Sequence, residues 1–198
     1  MSLIKLNNNS LDNLTSFEGS ASLGDMVFIS SATASASSSI EFTLGDLKEY
    51  KFFFVNMHPQ TNDVSFEFNF STDSGSNYNV TKTSTYFRTF HDEADTSTGL
   101  AYYTTQDLAQ STAFQNICSA LSNDNDASVV GTMTLFNPSS TTYVKHWVSN
   151  FNFYHDANYT FNHYIAGYAN TTSALTNIKF QMSSGNIDDG KILCFGLN

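Results

Sequence analysis

Val64-Ser-Phe-Glu-Phe-Asn-Phe70 places apolar side chains at positions 64, 66, 68 and 70, with polar ones between them. A period of two marks a β-strand with one buried face, because successive Cβ atoms leave a strand on opposite sides. On a helix the same four residues would scatter to opposite sides of the cylinder. The next segment, Ser71-Thr-Asp-Ser-Gly-Ser-Asn77, is made of turn formers. Beyond it Tyr78, Val80 and Lys82 alternate with Asn79, Thr81 and Thr83. The two alternating runs are expected to pair as a hairpin.

The same grammar extends in both directions. Tyr50 to Val55 is apolar apart from Lys51 and reads as a central strand. Val129 to Phe136, the turn Asn-Pro-Ser-Ser-Thr, and Thr142 to Val148 read as a second hairpin, with Pro138 in the turn where its missing donor is harmless. Further strands are expected at 26–30, 39–44, 151–155, 159–169, 178–183 and 191–197. Ser30 to Ser39 is a low-complexity run of small residues, suited to a loop or flat edge strand. One segment breaks the pattern. Across residues 106–121, Phe114, Ile117, Cys118 and Leu121 recur at helical spacing, which predicts a short helical insertion. The expected fold is therefore all-β: an antiparallel β-sandwich, jelly-roll-like, with one short helix near 106–121. A lectin-like sandwich of other topology is the alternative.

At 198 residues the chain is sized for one domain burying roughly 70% of its unfolded surface, expected to span 10–198. Eighteen Phe and ten Tyr supply a core without metals or disulfides. Cys118 and Cys194 have no metal or redox spacing and read as buried free thiols, with a single disulfide as the alternative. Only 13% of residues are charged, so Ser, Thr and Asn must cover the exterior. The net charge of −10, with 8 Lys and Arg in all, argues against nucleic acid and acidic membranes as partners. No apolar run approaches the ~20 residues of a membrane span. The beginning, Met-Ser-Leu-Ile-Lys-Leu-Asn-Asn-Asn, lacks the apolar stretch of a signal peptide, so synthesis in a cytosol is expected.

Candidates for chemistry are few. His91-Asp-Glu-Ala-Asp95 gathers metal-ligand types, yet neighbours on an extended chain face opposite ways, and a solvated acidic loop is expected. His155, Tyr159 and His163 are candidates for one polar pocket. His58, before Pro59, reads as a turn residue, and His146 as a packed or surface histidine. The loops Asp73–Asn77, Asn123–Asp126 and Asn186–Asp189 hold oxygen ligands without the ordered spacing of an EF-hand. The chain has no His-x-His, Gly-x-Ser-x-Gly or phosphate-loop motif. Tyr102, Tyr103, Tyr154 and Tyr159, with Tyr164 and Tyr168, are candidates for stacking on sugars. Against that, half of an alternating set must point inward. No cofactor is expected.

Four stretches in order carry a resemblance: Met1-Ser-Leu-Ile-Lys-Leu-Asn-Asn8; Asn137-Pro-Ser-Ser-Thr-Thr-Tyr-Val-Lys-His146; Gly167-Tyr-Ala-Asn-Thr-Thr-Ser-Ala174; and Ser184-Gly-Asn-Ile-Asp-Asp-Gly-Lys-Ile-Leu-Cys-Phe-Gly-Leu197. Over nearly its whole length the chain resembles a family of virion structural proteins of tailed phages infecting marine bacteria, cyanobacteria especially. Members commonly end in a Gly-x-Ile-x-Leu-Tyr-Gly-like strand. Here Cys194 and Phe195 depart from it while keeping the burial pattern. The resemblance implies no catalytic residues. It implies a non-enzymatic subunit made in the host cytoplasm and displayed on the virion as a capsid decoration or tail appendage. Its partners would be other virion proteins and copies of itself, as a homotrimer by analogy with jelly-roll appendages. In that setting Leu3, Ile4 and Leu6 are expected to anchor residues 1–9 to a neighbouring subunit. An adhesin that recognises host surface glycans is the second expectation.

Overall fold

The computed structural model describes residues 26–197. The candidate anchor Leu3, Ile4 and Leu6 lies outside them. Among the described residues there are twelve strands: β1 (Val27–Thr33), β2 (Ile40–Thr43), β3 (Glu49–Pro59), β4 (Val64–Ser71), β5 (Lys82–Asp92), β6 (Thr98–Tyr102), β7 (Gln115–Leu121), β8 (Val129–Phe136), β9 (Lys145–His155), β10 (Tyr159–Ala169), β11 (Asn177–Met182) and β12 (Ile187–Leu197). Every pairing is antiparallel. A long strip runs β1-β12-β3-β8-β9-β10-β5-β6, and a short one runs β2-β11-β4-β7. The strips touch at Leu121↔His155 on one side and at the isolated bridge Ser37↔Ile187 on the other, so the sheet nearly closes into a barrel.

Burial explains the strand pattern. Phe180 on β11 lies at the hub, with ring centroids 5.6 Å from Phe52, 5.0 Å from Phe54, 6.1 Å from Phe66 and 6.2 Å from Phe68. Trp147 on β9 meets Phe68 at 5.6 Å and Phe70 at 5.7 Å, mostly edge to face, the geometry the ring quadrupole favours. These side chains are fully buried and come from both strips, so the apolar faces read from alternation meet one another. Cys118 and Cys194 are buried free thiols. Burial raises both pKa values, that of Cys194 to about 12.

The hairpin of β8 with β9 forms as expected, and β9 runs on unbroken through Phe151 to His155. β10 returns alongside it after a turn in which Asn158 takes φ 63° and its N–H donates to the His155 carbonyl at 3.0 Å; asparagine tolerates that conformation. His58 and Pro59 end β3 instead of forming a turn.

Two expectations fail. First, Val64–Phe70 does not pair with the residues after its turn: β4 lies between β7 and β11, and β5 joins β10 and β6 in the long strip. Asp73 closes the turn by accepting from the Ser71 hydroxyl, the Asn77 N–H and the Asn77 amide. The chain then crosses over, tied by buried Asn69, whose amide donates to the carbonyls of Tyr78 (2.7 Å) and Thr112 (3.0 Å). β7 and β11 offer β4 the apolar neighbours Ile117, Cys118, Ile178 and Phe180; the returning run offers Val80 and Lys82. Second, the helix at 106–121 is absent, and its second half is β7. Opposite β4 the register advances Val64 to Phe66 while β7 goes from Leu121 to Cys118, and Phe66 to Glu67 while β7 goes from Cys118 to Asn116. Each step inserts one extra residue, a β-bulge, with Ala120 at φ 53°. Two bulges stretch a period of two into the three-and-four spacing of a helix.

Bulges also shape the opposite end. Asn56 sits at φ 49° in β3, and Gly190 at φ 120° in β12, where a Cβ would lie 2.7 Å from the Met57 backbone. Only glycine fits there.

Candidate functional site

The outward side chains of β9, β10, β5 and β6 form one uncharged surface. In register across the sheet, Val148 lies by Ala166 and Thr85; Asn150 by Tyr164, Phe87 and Tyr102; Asn152 by Asn162, Thr89 and Leu100; Tyr154 by Thr160, His91 and Thr98. None of these positions is Asp, Glu, Lys or Arg, in a chain whose net charge is −10. Val148, Phe87, Tyr164, Tyr102 and Leu100 are exposed there, Leu100 by 71%. The same face continues over β8, β3 and β12 through Val130, Phe136, Val55 and the edge-to-face pair Phe53–Phe195, with Glu49, Lys51 and Lys191 as its charges. A contiguous run of exposed apolar side chains is the kind of surface on which a protein can make contact with a partner.

Phe87 and Tyr164 stack on each other, centroids 4.9 Å apart and planes 11° from parallel. Each ring thus covers a face of the other. His146 and Tyr168 wall a shallow hollow of about 300 Å³ above Val148, Ala166 and Gly167.

The inner side of the same strands is different. Lys82 and Lys145 lie on either side of Ala169 in one register row, and both are fully buried. Neither meets a carboxylate. Lys82 Nζ donates to Asn69 Oδ1 (2.6 Å) and the Val80 carbonyl (2.9 Å); Lys145 Nζ donates to the carbonyls of Thr171 and Ser173. Burial lowers both pKa values, that of Lys82 to about 7. They tie down loops and have no access to solvent.

Further along, fully buried His163 lies opposite Arg88. The Tyr86 hydroxyl donates to the Ile117 carbonyl at 2.9 Å and sits 2.5 Å from His163 Nδ1, which is itself 3.0 Å from that carbonyl. With the proton on Nδ1, the two acceptor lone pairs of the Ile117 carbonyl satisfy both donors. Nε2 then keeps a lone pair and has no partner. Desolvation brings the His163 pKa down to about 4, aided by the Arg88 charge against the opposing effect of the Ile117 bond.

The predicted sugar-contact tyrosines divide between these faces. Tyr102 and Tyr154 point outward, their hydroxyls donating to Asp107 and Asn158 at 2.7 Å each. Tyr103 and Tyr159 turn inward, Tyr103 against Tyr86 and Tyr159 against Phe90 and Phe161. His155, Tyr159 and His163 do share the inner strip, with Phe161 packed among them. His91 makes only an exposed contact to Asp95 at 3.2 Å, and Asp92 caps its own turn by accepting from Thr96 and Ser97. The loops 123–126 and 186–189 meet Asn56 and His58 around a polar hollow of about 370 Å³. Among the described residues, no group of three His, Cys, Asp or Glu comes together to hold a metal ion. Sequence reasoning missed Arg88 and the Phe87–Tyr164 pair, because β5 was followed only to Thr83. The alternation of Thr83-Ser-Thr-Tyr-Phe-Arg-Thr-Phe-His-Asp92 would have found them.

Comparison with family models, curated proteins and solved structures found no match to this chain.

Proposed function

We propose that this chain is a non-enzymatic structural subunit on the exterior of a tailed-phage virion, a capsid decoration or tail appendage that works through contacts between subunits. The observation that carries a contact role is the uncharged, apolar outer face of β9, β10, β5 and β6. A copy at net charge −10 repels another copy over most of its surface, and least across this face, whose strand positions carry no charge and whose bordering carboxylates Asp95 and Asp107 contact His91 and Tyr102. The assignment to a phage particle rests on the sequence resemblance. The expected assembly is a homotrimer, and the two strips are read as layers of a jelly-roll-like sandwich, which the Phe52–Phe180 and Phe68–Trp147 contacts between them support.

Glycan adhesion is the second reading, favoured by Asn152, Asn162 and Thr89 beside outward tyrosines. The mutual stacking of Phe87 and Tyr164 weighs against it, because sugars stack on open ring faces. The test is the mass of the purified chain in solution by light scattering at seawater ionic strength. An oligomer is expected, and Val148→Asp with Tyr164→Asp should reduce it to monomers with unchanged circular dichroism. A chain that stays monomeric at all concentrations, or that turns over a polysaccharide, would defeat the proposal. Immunolabelled electron micrographs of intact particles then test the virion assignment.

A further inference from the structure

Arg88 is the only arginine in the sequence, and 18 Asp and Glu are available to pair with it. Among the described residues it makes no ion pair: the salt bridges join His91 to Asp95, His155 to Asp156 and Lys179 to Glu41. Its Nε is buried without a hydrogen-bond partner. The guanidinium is instead held by rings, its Cζ 4.0 Å from the Tyr103 centroid, 4.8 Å from Phe161 and 5.5 Å from Phe90. Such cation–π contacts hold the guanidinium without supplying an in-plane acceptor for its N–H groups.

Acids near it in chain and register are engaged elsewhere. Asp92 takes the Thr96 hydroxyl and the N–H groups of Thr96 and Ser97; Asp107 takes the Tyr102 hydroxyl; Asp156 sits 2.9 Å from His155. Glu93 is exposed on the turn beyond β5. Directly across the register, His163 is fully buried and offers Nε2 without a partner. Two adjacent side chains thus hold unused buried polar atoms, where an orphan normally costs about 1–3 kcal/mol.

Arg88 is not sealed in. It is half-buried, as are Phe90, Tyr103, His155 and Tyr159 around it. With Nε buried, a guanidinium held in this way is best matched by a carboxylate placed end-on, which its two terminal nitrogens can grip with two parallel hydrogen bonds. Half-exposed rings beside that grip suit the C–H face of a pyranose. We propose that Arg88 anchors a binding site for a carboxylate-bearing sugar on the inner face of β5 and β10, with Tyr159 and Phe90 against the sugar ring. The site faces the opposite way from the contact surface, so it stands or falls independently of subunit assembly.

The full chain is titrated by calorimetry with oligoglucuronate, a neutral glucose oligomer and a glutamate-rich peptide. Saturable binding is expected for the sugar acid alone, weakening as salt rises. Arg88→Met and Arg88→Lys should each weaken it by about tenfold or more, as loss of a charge-assisted pair requires. Tyr159→Ser should weaken it with Arg88 in place. Thermal melts of each variant establish that it is folded, and Arg88→Lys, which keeps charge and stem, covers the case in which Arg88→Met unfolds. Absence of saturable binding overturns the proposal, as does full affinity in folded Arg88→Lys. Equal binding of the neutral oligomer or the peptide does so too.

Discussion

The interior has two ends that obey different rules. Around Phe180 the neighbours are Phe42, Phe52, Phe54, Phe66 and Phe68, with Ile40 opposite it in register, and free energy comes from removing apolar area from water. Along the inner row of β5 and β10 the polar side chains Lys82, Ser84, Tyr86 and His163 are buried beside the apolar Phe161, Ile165 and Ala169, with Arg88 half-buried among them, and each polar atom must find a partner or remain a cost. The first end explains why the chain folds. The second holds what folding alone does not require, which directs attention to it as the place where binding is built.

The contrast is broken most severely at the hub. Phe180→Ala should destabilise the protein by about 3–5 kcal/mol, read as a lowered denaturant midpoint, because a cavity opens among five other phenylalanines. A smaller effect should come from Lys82. Its folded pKa of about 7 lies below the unfolded 10.5, so the unfolded chain binds more protons between those values and stability rises with pH across that window. The rise is cleanest from pH 7 to about pH 8, before unfolded thiols ionise and the elevated pKa values of Cys118 and Cys194 act the other way. Lys82→Met should flatten the climb in melts taken along that range.

His163 sharpens the comparison at the acid side. With a folded pKa of about 4 against 6.5, its contribution is complete above pH 6.5 and is lost as pH falls towards 4. Its imidazole resonances in NMR should show no protonation until the pH nears 4, whereas an ordinary midpoint near 6.5 would mean that the inner strip is wet. The smallest effect on stability belongs outside. Val148→Asp should change the stability of the dissociated chain by about 1 kcal/mol or less, read in melts dilute enough to hold both proteins monomeric, while altering assembled mass at higher concentration.

Much of the fold is legible in the chain because a strand's two faces are written in alternate residues. β4, β10 and the end of β12 were readable from Val64–Phe70, Tyr159–Ala169 and Lys191–Leu197, and β9 as two pieces, 142–148 and 151–155, that the structure joins. The candidate site was legible only by halves. Alternation says that Tyr102 and Tyr103 point oppositely, but not which of them meets water.

The sequence by itself determined that this is an antiparallel β protein with a phenylalanine core and little surface charge, since composition and a period of two are local properties. Tertiary structure alone decided that β4 pairs with β7 and β11, that two bulges make a strand of a helix-like pattern, and that Arg88 faces His163 without an acid. Each of these is a choice among partners distant in the chain. Such choices depend on which surfaces bury one another best, and no single segment encodes that.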